Sequence, residues 1–438
     1  MSHKGSHAAR VSVLVALVLL CLLVAAAFGR ASASAMTYNQ TVAGLVNGVD
    51  ADQAELQATL NEVTGTVPTF VGGQPYTIFT RYNGSASASM AQQYVYEKLL
   101  SYGLAVNYQS YAGGRNVVAE IRGTTRPNEI IVVGGHLDDM PSSGNAPGAD
   151  DNASQVAATL YLAKHFAQYG FARTIRFVFF DGEEVGYTGS TYYSQQAKAA
   201  GDNIVVYMNT DMIGWDPGTH YVLLNTRKVT SSTMVEQWAA NQYTDALGAY
   251  SIGTIATIVQ PLGWNVSDNR GFWKNGYQAV YLCEDQRNSV PLNPNYHTSA
   301  DTVASLTLPF YYQVVKGEVA AYAHLAYIAG TLPASEIYVQ NIALSAKKSG
   351  SSYVGTATIT VHDASGTPVV GASVAGAWSG CVSGTASGTT DDKGKVTFTS
   401  PTSKSGGSWT FTVTTVSKVT WTYNAARNVM TSATIRYP

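Results

Sequence analysis

The sequence predicts an α/β domain with a mainly parallel mixed sheet flanked by helices, followed by an all-β sandwich of immunoglobulin-like type. Two observations support the first part: apolar strand-like runs alternate with helical stretches over residues 116–328, and several of the runs are continuously apolar. Continuous apolar runs are typical of strands that are buried on both faces of a sheet. The third observation concerns the C-terminal part, where Thr and Ser dominate and turn sequences separate short alternating strands.

Residues 1–35 have the pattern of a secretory signal peptide. A short basic stretch precedes an apolar run over residues 11–28, and Ala-Ser-Ala at 33–35 offers a small-residue cleavage site. A retained membrane anchor is the alternative, because the run approaches the roughly 20 residues that span a bilayer. The position of the cleavage site favours removal of the leader. We therefore expect a secreted protein, either free in the extracellular space or associated with the cell surface.

Residues 36–330 are predicted to form the α/β domain. The stretch within residues 36–74 is helix-compatible, and it is either the first helix of the domain or a pro-segment. Helical and strand-like runs alternate after it. Helices are expected at 91–100, 156–166 and 308–328, and strands at 116–121, 129–134, 174–180, 204–208 and 279–282.

Residues 331–438 are predicted to form the β-sandwich as an accessory domain. Short strands at 356–361, 395–399 and 409–414 are separated by turns that contain Asp and Gly. This part has no ionisable cluster of its own, so we interpret it as a binding or spacing module. Contact with a cell surface, a polysaccharide or a protein substrate is an expectation from fold-level analogy.

Composition excludes some classes of function and of metal site. Charged residues make up 12% of the chain and the formal net charge is −2, so no basic face is available for nucleic acid. Of the three cysteines, Cys21 lies in the leader, and Cys283 and Cys381 lie far apart in predicted separate domains. We expect two free thiols rather than a bridge. Any metal site must then use histidine and carboxylate ligands.

Ionisable residues directly follow three of the predicted strands, and others lie at a helix entry and in a late loop. Ligands bind at the carboxyl ends of strands in open α/β sheets, so these side chains are expected to converge on one crevice. In chain order the residues are His136 and Asp138, the helix-entry pair Asp150 and Asp151, Glu183 and Glu184, Asp211, and the loop residue His297.

These residue types suit hydrolysis at a metal centre. Imidazole and carboxylate together favour zinc or a similar divalent cation. Two cations about 3.5–4 Å apart would need a bridging carboxylate, and they would jointly activate water and bind a tetrahedral intermediate. A neighbouring carboxylate that is not a ligand would then serve as the general base.

Five short motifs carry a resemblance to a known family. In this order and spacing they are similar to the co-catalytic zinc aminopeptidases of metallopeptidase family twenty-eight, and the resemblance covers roughly residues 70–330. It implies a zinc exopeptidase fold, two Zn²⁺ ions, a peptide or protein substrate and aminopeptidase activity. The motifs are Gly-Gly-His-Leu-Asp (134–138), Pro-Gly-Ala-Asp-Asp-Asn-Ala-Ser (147–154), Asp-Gly-Glu-Glu-Val-Gly (181–186), Asn-Thr-Asp-Met-Ile-Gly (209–214) and Tyr-His-Thr (296–298).

The resemblance also implies a role for each residue. Asp151 would bridge the two metals. Glu183 would be the general base, and Asp138 would hold the second ring nitrogen of the metal-bound His136. The remaining ligands would be His136 and Asp211 on one metal, and Glu184 and His297 on the other.

Three further features follow from the resemblance to the family. Its members carry a non-proline cis peptide after the bridging aspartate, which corresponds to Asp151–Asn152 here. The stretch Ser267-Asp268-Asn269 stands where the family often has Ser-Asp-His. A bacterial relative places a tyrosine hydroxyl near the oxyanion, whereas we expect Trp264 to be the nearest aromatic residue. The metals would then stabilise the oxyanion alone.

Several functions compete for the same residues. The retention of every ligand position favours an aminopeptidase, with an acidic or closed cleft end that recognises the α-ammonium group of the substrate. Glutaminyl cyclase, which uses one zinc on this scaffold, and a carboxypeptidase are the enzymatic alternatives. A non-catalytic receptor-like relative is less favoured, because such relatives have lost ligands that this chain keeps. Asp150 fits an interaction with a helix dipole at least as well as a catalytic role.

Overall fold

The structure is a computed structural model that describes residues 36–331, 335–363, 366–419 and 421–437. The predicted signal peptide, residues 1–35, lies outside the described residues. Within the described ranges, no helix combines the length and the apolar composition that crossing a membrane requires.

Helices and strands alternate through the α/β part of the chain, and the three helices and five strands expected for residues 91–328 are present. The helices are α1 (Gln40–Ala51), α2 (Gln53–Val63), α3 (Ala86–Ser101), α4 (Ser154–Phe166), α5 (Thr188–Ala200), α6 (Met234–Ala249), α7 (Asn269–Lys274) and α8 (Leu308–Leu325). The strands are β1 (Thr69–Val71), β2 (Gln74–Tyr76), β3 (Ala105–Tyr111), β4 (Gly114–Ile121), β5 (Arg126–His136), β6 (Tyr169–Phe171), β7 (Arg173–Phe180), β8 (Asn203–Thr210), β9 (Tyr221–Asn225), β10 (Ala256–Gln260), β11 (Ala279–Glu284) and β12 (Ile328–Thr331).

Eight of these strands form one mixed sheet in the order β10-β9-β11-β8-β5-β7-β4-β3. The central strands β11, β8, β5 and β7 are parallel to one another. Antiparallel pairs join β9 to β11, and β4 to both β7 and β3. In this register His136 at the end of β5 lies opposite Phe180 at the end of β7. The carboxyl ends of the parallel strands therefore meet at one edge, which is where the predicted ligands lie.

Side chains of β5 alternate between two packed faces of the sheet. Ile131 and Val133 face the main core, which includes α4 and α8, whereas Ile130 and Val132 face a smaller core under α5 and α7. All four side chains are at most 4% exposed. Burial on both faces is the physical reason for the continuous apolar run in the sequence.

The helices α1 and α2 lie within the stretch that the sequence leaves open as a possible pro-segment. Their side chains Val46, Leu56 and Leu60 are buried in the main core. Glu55 of α2 also forms an ion pair with Lys164 of α4, with 2.5 Å between carboxylate and ammonium. These helices therefore contribute to the same core that supports the sheet.

The C-terminal part forms two four-stranded sheets, ordered β17-β14-β13-β19 and β16-β15-β18-β20. Trp378, Trp409 and Phe411 lie in a core that is separate from that of the α/β domain. The part is all-β as predicted, while its immunoglobulin-like type stays a prediction. Cys283 and Cys381 are free thiols, as expected. The strands are β13 (Ser335–Ser349), β14 (Ser352–Asp363), β15 (Ser373–Gly380), β16 (Gly384–Thr389), β17 (Lys395–Thr399), β18 (Gly407–Ser417), β19 (Trp421–Tyr423) and β20 (Ser432–Tyr437).

Candidate metal centre

Five elements of the α/β domain bring the predicted ligands to one point. His136 is the last residue of β5, and Asp211 directly follows β8. Glu184 lies in the loop after β7, Asp151 lies in a tight helical turn before α4, and His297 lies in the loop before α8. Neighbouring parallel strands end at the same edge, so side chains that follow them meet although they are distant in sequence.

Asp151 lies between the two histidines. Its Oδ1 is 3.2 Å from His136 Nε2, and its Oδ2 is 3.1 Å from His297 Nε2. Each imidazole also faces a second acid: Asp211 Oδ1 is 3.2 Å from His136 Nε2, and Glu184 Oε2 is 3.0 Å from His297 Nε2. The five side chains therefore form two sets of three potential ligands that share one carboxylate.

This donor set fits a pair of divalent cations. In each set, one imidazole nitrogen and two carboxylate oxygens lie within 4.8 Å of one another. Glu184 Oε1 is buried and has no hydrogen-bond partner among the described residues. Burial lowers the pKa of His297, but the facing carboxylates of Asp151 and Glu184 raise it to about 10. Such a concentration of acids attracts positive charge, and a divalent cation would replace the protons held there.

Asp138 contacts the site differently from the way that the resemblance implies. His136 Nδ1 lies 3.0 Å from the backbone carbonyl oxygen of Asp138, whereas the Asp138 carboxylate is 3.7 Å from the same nitrogen. That carboxylate instead accepts hydrogen bonds from the backbone amides of Glu183 and Glu184, each 3.1 Å long. Asp138 thus orients the imidazole through its carbonyl group, and its side chain fixes the turn that carries two site acids.

Glu183 is buried beside the two ligand sets. Its carboxylate and the ligand atoms of His136 and Glu184 lie within 4.8 Å of one another, but Glu183 is in neither of the two sets that share Asp151. Burial raises the pKa of Glu183 well above its usual range; the nearby His136 opposes this shift and Asp211 adds to it. Glu183 therefore lies beside the two candidate ligand sets that share Asp151 and belongs to neither of them.

Buried acids hold the backbone of Asp151 in place. The Asp301 carboxylate accepts hydrogen bonds from the amides of Asp150 and Asp151, at 3.0 and 3.1 Å. The Asp150 carboxylate accepts from the Gly214 amide at 2.7 Å, so it contacts the loop after β8 rather than the first turn of α4. The peptide bond Asp151–Asn152 is cis, as the resemblance implies.

A buried arginine connects the loops that carry the ligands, and nothing in the sequence singles it out. Arg81 is 1% exposed and forms an ion pair of 3.3 Å with Asp139. Leu137 follows the ligand His136, and Gly148 begins the turn that contains Asp151. The Arg81 guanidinium donates to the backbone carbonyl oxygens of Leu137, Val63, Pro147 and Gly148 at 2.8, 3.1, 2.8 and 2.9 Å.

A cavity of about 140 Å³ opens onto the ligands. Its lining includes His136 and the site acids. It also includes the mainly apolar side chains of Met212, Val266, Tyr281 and Leu292. The cavity therefore combines the candidate metal ligands with surface that suits an apolar group.

Tyr296, rather than Trp264, is the aromatic residue next to the ligands, so the expectation about Trp264 is wrong. The Tyr296 ring stacks on that of His297 with 3.7 Å between centroids, and Tyr296 lines the cavity. Trp264 packs against a separate cluster that includes Leu223. Burial and the nearby Asp151 carboxylate raise the pKa of Tyr296, so its hydroxyl remains a hydrogen-bond donor. Its place in the Tyr-His-Thr motif was the available signal.

Comparisons with known proteins find one matching family model. Residues 116–317 match the model described as Peptidase family M28, and this range contains all five predicted ligands. A probable zinc metalloprotease of Pyricularia oryzae is 31% identical over 204 residues, which are 40% of this chain and 41% of that protein. Leucine aminopeptidase 1 of Trichophyton equinum is 29% identical over 246 residues, 51% of this chain and 62% of that protein. The chain thus spans less than two thirds of either curated relative.

Solved structures share the fold at low sequence identity. LapB from Legionella pneumophila matches with a TM-score of 0.55 at 22% identity, covering 66% of this chain and 78% of that one. An aminopeptidase from Aneurinibacillus sp. strain AM-1 matches with a TM-score of 0.51 at 16% identity, covering 66% of this chain and 97% of that one. At these identities the likeness establishes the fold, a large mixed sheet flanked by helices.

Proposed function

We propose that this chain, which contains a Peptidase family M28 domain over residues 116–317, is an aminopeptidase that uses two zinc ions to remove N-terminal residues from peptides. The observation that carries the proposal is the position of Asp151, whose two carboxylate oxygens each face a different histidine. A shared carboxylate is what two cations about 3.5–4 Å apart require. The names of the similar proteins, a leucine aminopeptidase and a probable zinc metalloprotease, support the same conclusion.

The two ligand sets divide the proposed zinc sites. His136 and Asp211 would hold one ion, His297 and Glu184 would hold the other, and Asp151 would be shared. Imidazole nitrogen and carboxylate oxygen are both ordinary zinc ligands. When bound, the ions would polarise the scissile carbonyl group and lower the pKa of water.

We assign proton transfer to Glu183. Its carboxylate lines the cavity beside the ligands and is not needed for either set that shares Asp151. It would take a proton from the attacking water and give one to the leaving amine, so that the peptide bond breaks into a carboxylate and an amine. The Asp138 side chain, which binds the amides of Glu183 and Glu184, would keep the base and its neighbouring ligand in a fixed orientation.

The cavity supports an exopeptidase that accepts an apolar N-terminal residue. A volume of about 140 Å³ suits a single side chain and not a chain that passes through. Met212, Val266 and Leu292 would contact an aliphatic side chain, and the acids opposite them would attract the free α-ammonium group. Tyr296 lines the same cavity, and its hydroxyl would donate to the substrate carbonyl oxygen.

Secretion and an accessory role for the sandwich are also part of the proposal. The leader pattern of residues 1–35 supports export. The sandwich has its own core and contributes none of the proposed ligands. It would therefore act as a spacing or binding module and not in the chemistry.

The test is an assay of the metal-stripped protein during zinc titration. Leucyl-nitroanilide hydrolysis should rise until two equivalents of zinc are bound, while the N-acetylated analogue and an N-terminal glutamine peptide serve as comparisons. Hydrolysis of the acetylated substrate would contradict recognition of a free α-ammonium group. Cyclisation of the glutamine peptide, with saturation at one equivalent of zinc, would replace the proposal with glutaminyl cyclase.

A further inference from the structure

A second cleft lies beside the proposed active site. Its volume is about 400 Å³, and two cationic side chains, Arg270 and Lys274, line it. Tyr111, Tyr192 and Thr188 form other parts of its wall. We name it the basic cleft. None of the residues considered so far as ligands or base lines it.

The basic cleft and the metal cavity share the loop that follows Glu183. The amides of Gly186 and Tyr187 both donate to the Glu183 carbonyl oxygen at 2.9 Å, so the loop turns tightly away from the base. Gly186 then lines the basic cleft. The Arg270 guanidinium lies 5.0 Å from the centre of the Tyr187 ring. One short turn therefore separates the proposed general base from the two cations.

The helix α7 makes a second connection between the two spaces. Val266, just before α7, lines the metal cavity, whereas Arg270 and Lys274 on α7 line the basic cleft. These two residues are four positions apart, so they lie on the same face of the helix. Both are exposed, and neither forms an ion pair with any described carboxylate. The cleft thus presents positive charge beside a strongly acidic site.

Hydrogen bonds and a ring contact hold the tyrosines that line the basic cleft. The Tyr111 hydroxyl donates to the Asp181 backbone carbonyl oxygen at 2.7 Å, and the Tyr111 and Tyr192 rings stack with 5.5 Å between centroids. The Asp181 carboxylate in turn accepts hydrogen bonds from Asn83 and Gln92, both 2.9 Å. A cleft that combines aromatic side chains held by such contacts with two exposed cationic side chains has the features of a binding subsite.

We propose that the basic cleft binds a carboxylate of the peptide substrate on the leaving-group side of the scissile bond, through Arg270 and Lys274. This inference rests on the proposed aminopeptidase function. The leaving amine must lie near Glu183 to receive its proton, and the chain beyond that amine would cross the loop after Glu183. That loop also lines the basic cleft through Gly186, and the cleft carries the positive charges of Arg270 and Lys274. The carboxylate is either the C-terminus of a short peptide or an acidic side chain further along a longer one.

The experiment compares peptides that differ only in that carboxylate. A series Leu-Gly, Leu-Gly-Gly and Leu-Gly-Gly-Gly is assayed as free acids and as C-terminal amides, and a parallel series of amides carries Asp at each position after Leu. The carboxylate-bearing peptide of the length that reaches the cleft should have a kcat/KM about three- to fivefold higher than its neutral partner, mainly through KM. The series that shows the preference identifies the source of the carboxylate. The preference should weaken as salt concentration rises.

In the double variant Arg270→Gln with Lys274→Gln, the kcat/KM of the carboxylate-bearing peptide divided by that of its neutral partner should fall close to one. Lys228→Gln is the matched control, because it removes an exposed positive charge that does not line the cleft, and it should keep the wild-type ratio. Equal kcat/KM values for all acids and amides in the wild-type protein would overturn the inference, as would an unchanged ratio in the double variant. Leucyl-nitroanilide has no carboxylate, so its failure to react would count against the proposed function and not against the cleft alone.

Discussion

Asp151 is the side chain that the two halves of the candidate site share. Its two oxygens face different imidazoles, and its amide is held by the buried Asp301 carboxylate. Each of the flanking acids, Asp211 and Glu184, faces only one of the histidines. The site therefore has one residue common to both halves and a distinct acid for each half.

The assignment of Glu183 as base makes a prediction at this scale. Glu183→Gln should still bind two equivalents of zinc but lose about 10²–10⁴-fold in kcat, because an amide of the same size cannot accept the proton. Zinc content of the gel-filtered protein and leucyl-nitroanilide turnover measure the two effects separately.

Glu184→Gln is the companion variant. Its side chain lies 3.0 Å from His297 Nε2, so its neutralisation should weaken one zinc site as well as lower activity. If zinc is lost from Glu183→Gln and retained by Glu184→Gln, the roles of the two glutamates are reversed.

The candidate ligands are predictable from sequence because each stands in a short motif. His136, Glu184 and Asp211 come at or soon after the end of an apolar run that is typical of a strand, whereas Asp151 lies at a helix entry and His297 lies in a late loop. Tyr296 stands in the last of those motifs, but its sequence position does not reveal its contribution, because its ring stacks on His297 and carries no charge. Arg81 could not be predicted, since four of its partners are backbone carbonyl groups whose positions depend on the completed fold. The contact of the Asp138 carboxylate with two amides depends on turn geometry in the same way.

At the scale of elements, Arg81 connects three parts of the α/β domain. It binds the end of α2 through the Val63 carbonyl, the loop after β5 through Leu137, and the turn before α4 through Gly148. Arg81→Met should destabilise the domain by about 3–5 kcal/mol, because it leaves the buried Asp139 without its partner. It should also weaken zinc binding in any fraction that folds, since both connected loops carry ligands. Chemical denaturation and zinc titration check the two effects.

Arg122→Met is the matched control for that change. Arg122 is exposed, so its loss should alter stability by no more than about 0.5 kcal/mol. Wild-type stability and wild-type zinc affinity in Arg81→Met would show that the loops hold their positions without the arginine.

Elements whose residues show a strong apolar pattern can be predicted from the sequence, whereas elements without one cannot. The strands β5 and β7 can be predicted because their apolar residues form continuous runs, which are typical of strands buried on both faces of a sheet. The helix α7 spans only Asn269–Lys274, which is too short for a periodicity to show. For α1 and α2 the sequence indicates helices but leaves open whether they belong to a pro-segment that is removed. A helical pattern carries no information on what the helix packs against. Only the tertiary structure shows that both helices pack into the main core.

At the scale of the whole molecule, the two domains have separate hydrophobic cores, and the proposed zinc ligands all belong to the first. Two thermal transitions are therefore expected. Zinc that binds only the folded α/β domain stabilises that domain alone, by about 2.7 kcal/mol at a hundredfold excess over Kd. Calorimetry with and without a chelator should show one transition lowered by on the order of 5–10 °C and the other unmoved.

The Glu184→Gln variant identifies which transition belongs to the metal domain. With one zinc site weakened, the transition that responds to the chelator should shift less than in the wild-type protein. A single transition, or two that move together, would mean that the sandwich and the α/β domain unfold as one unit despite their separate cores.

The five candidate ligands are spread along the chain from His136 to His297, and each belongs to a different segment of the α/β domain. A growing polypeptide carries no complete ligand set for the second ion until the loop before α8 has been synthesised. A fragment of the chain would keep single motifs, but it would not bring the candidate ligands of different motifs together. The proposed hydrolytic activity therefore requires a chain that has been synthesised through His297 and has folded.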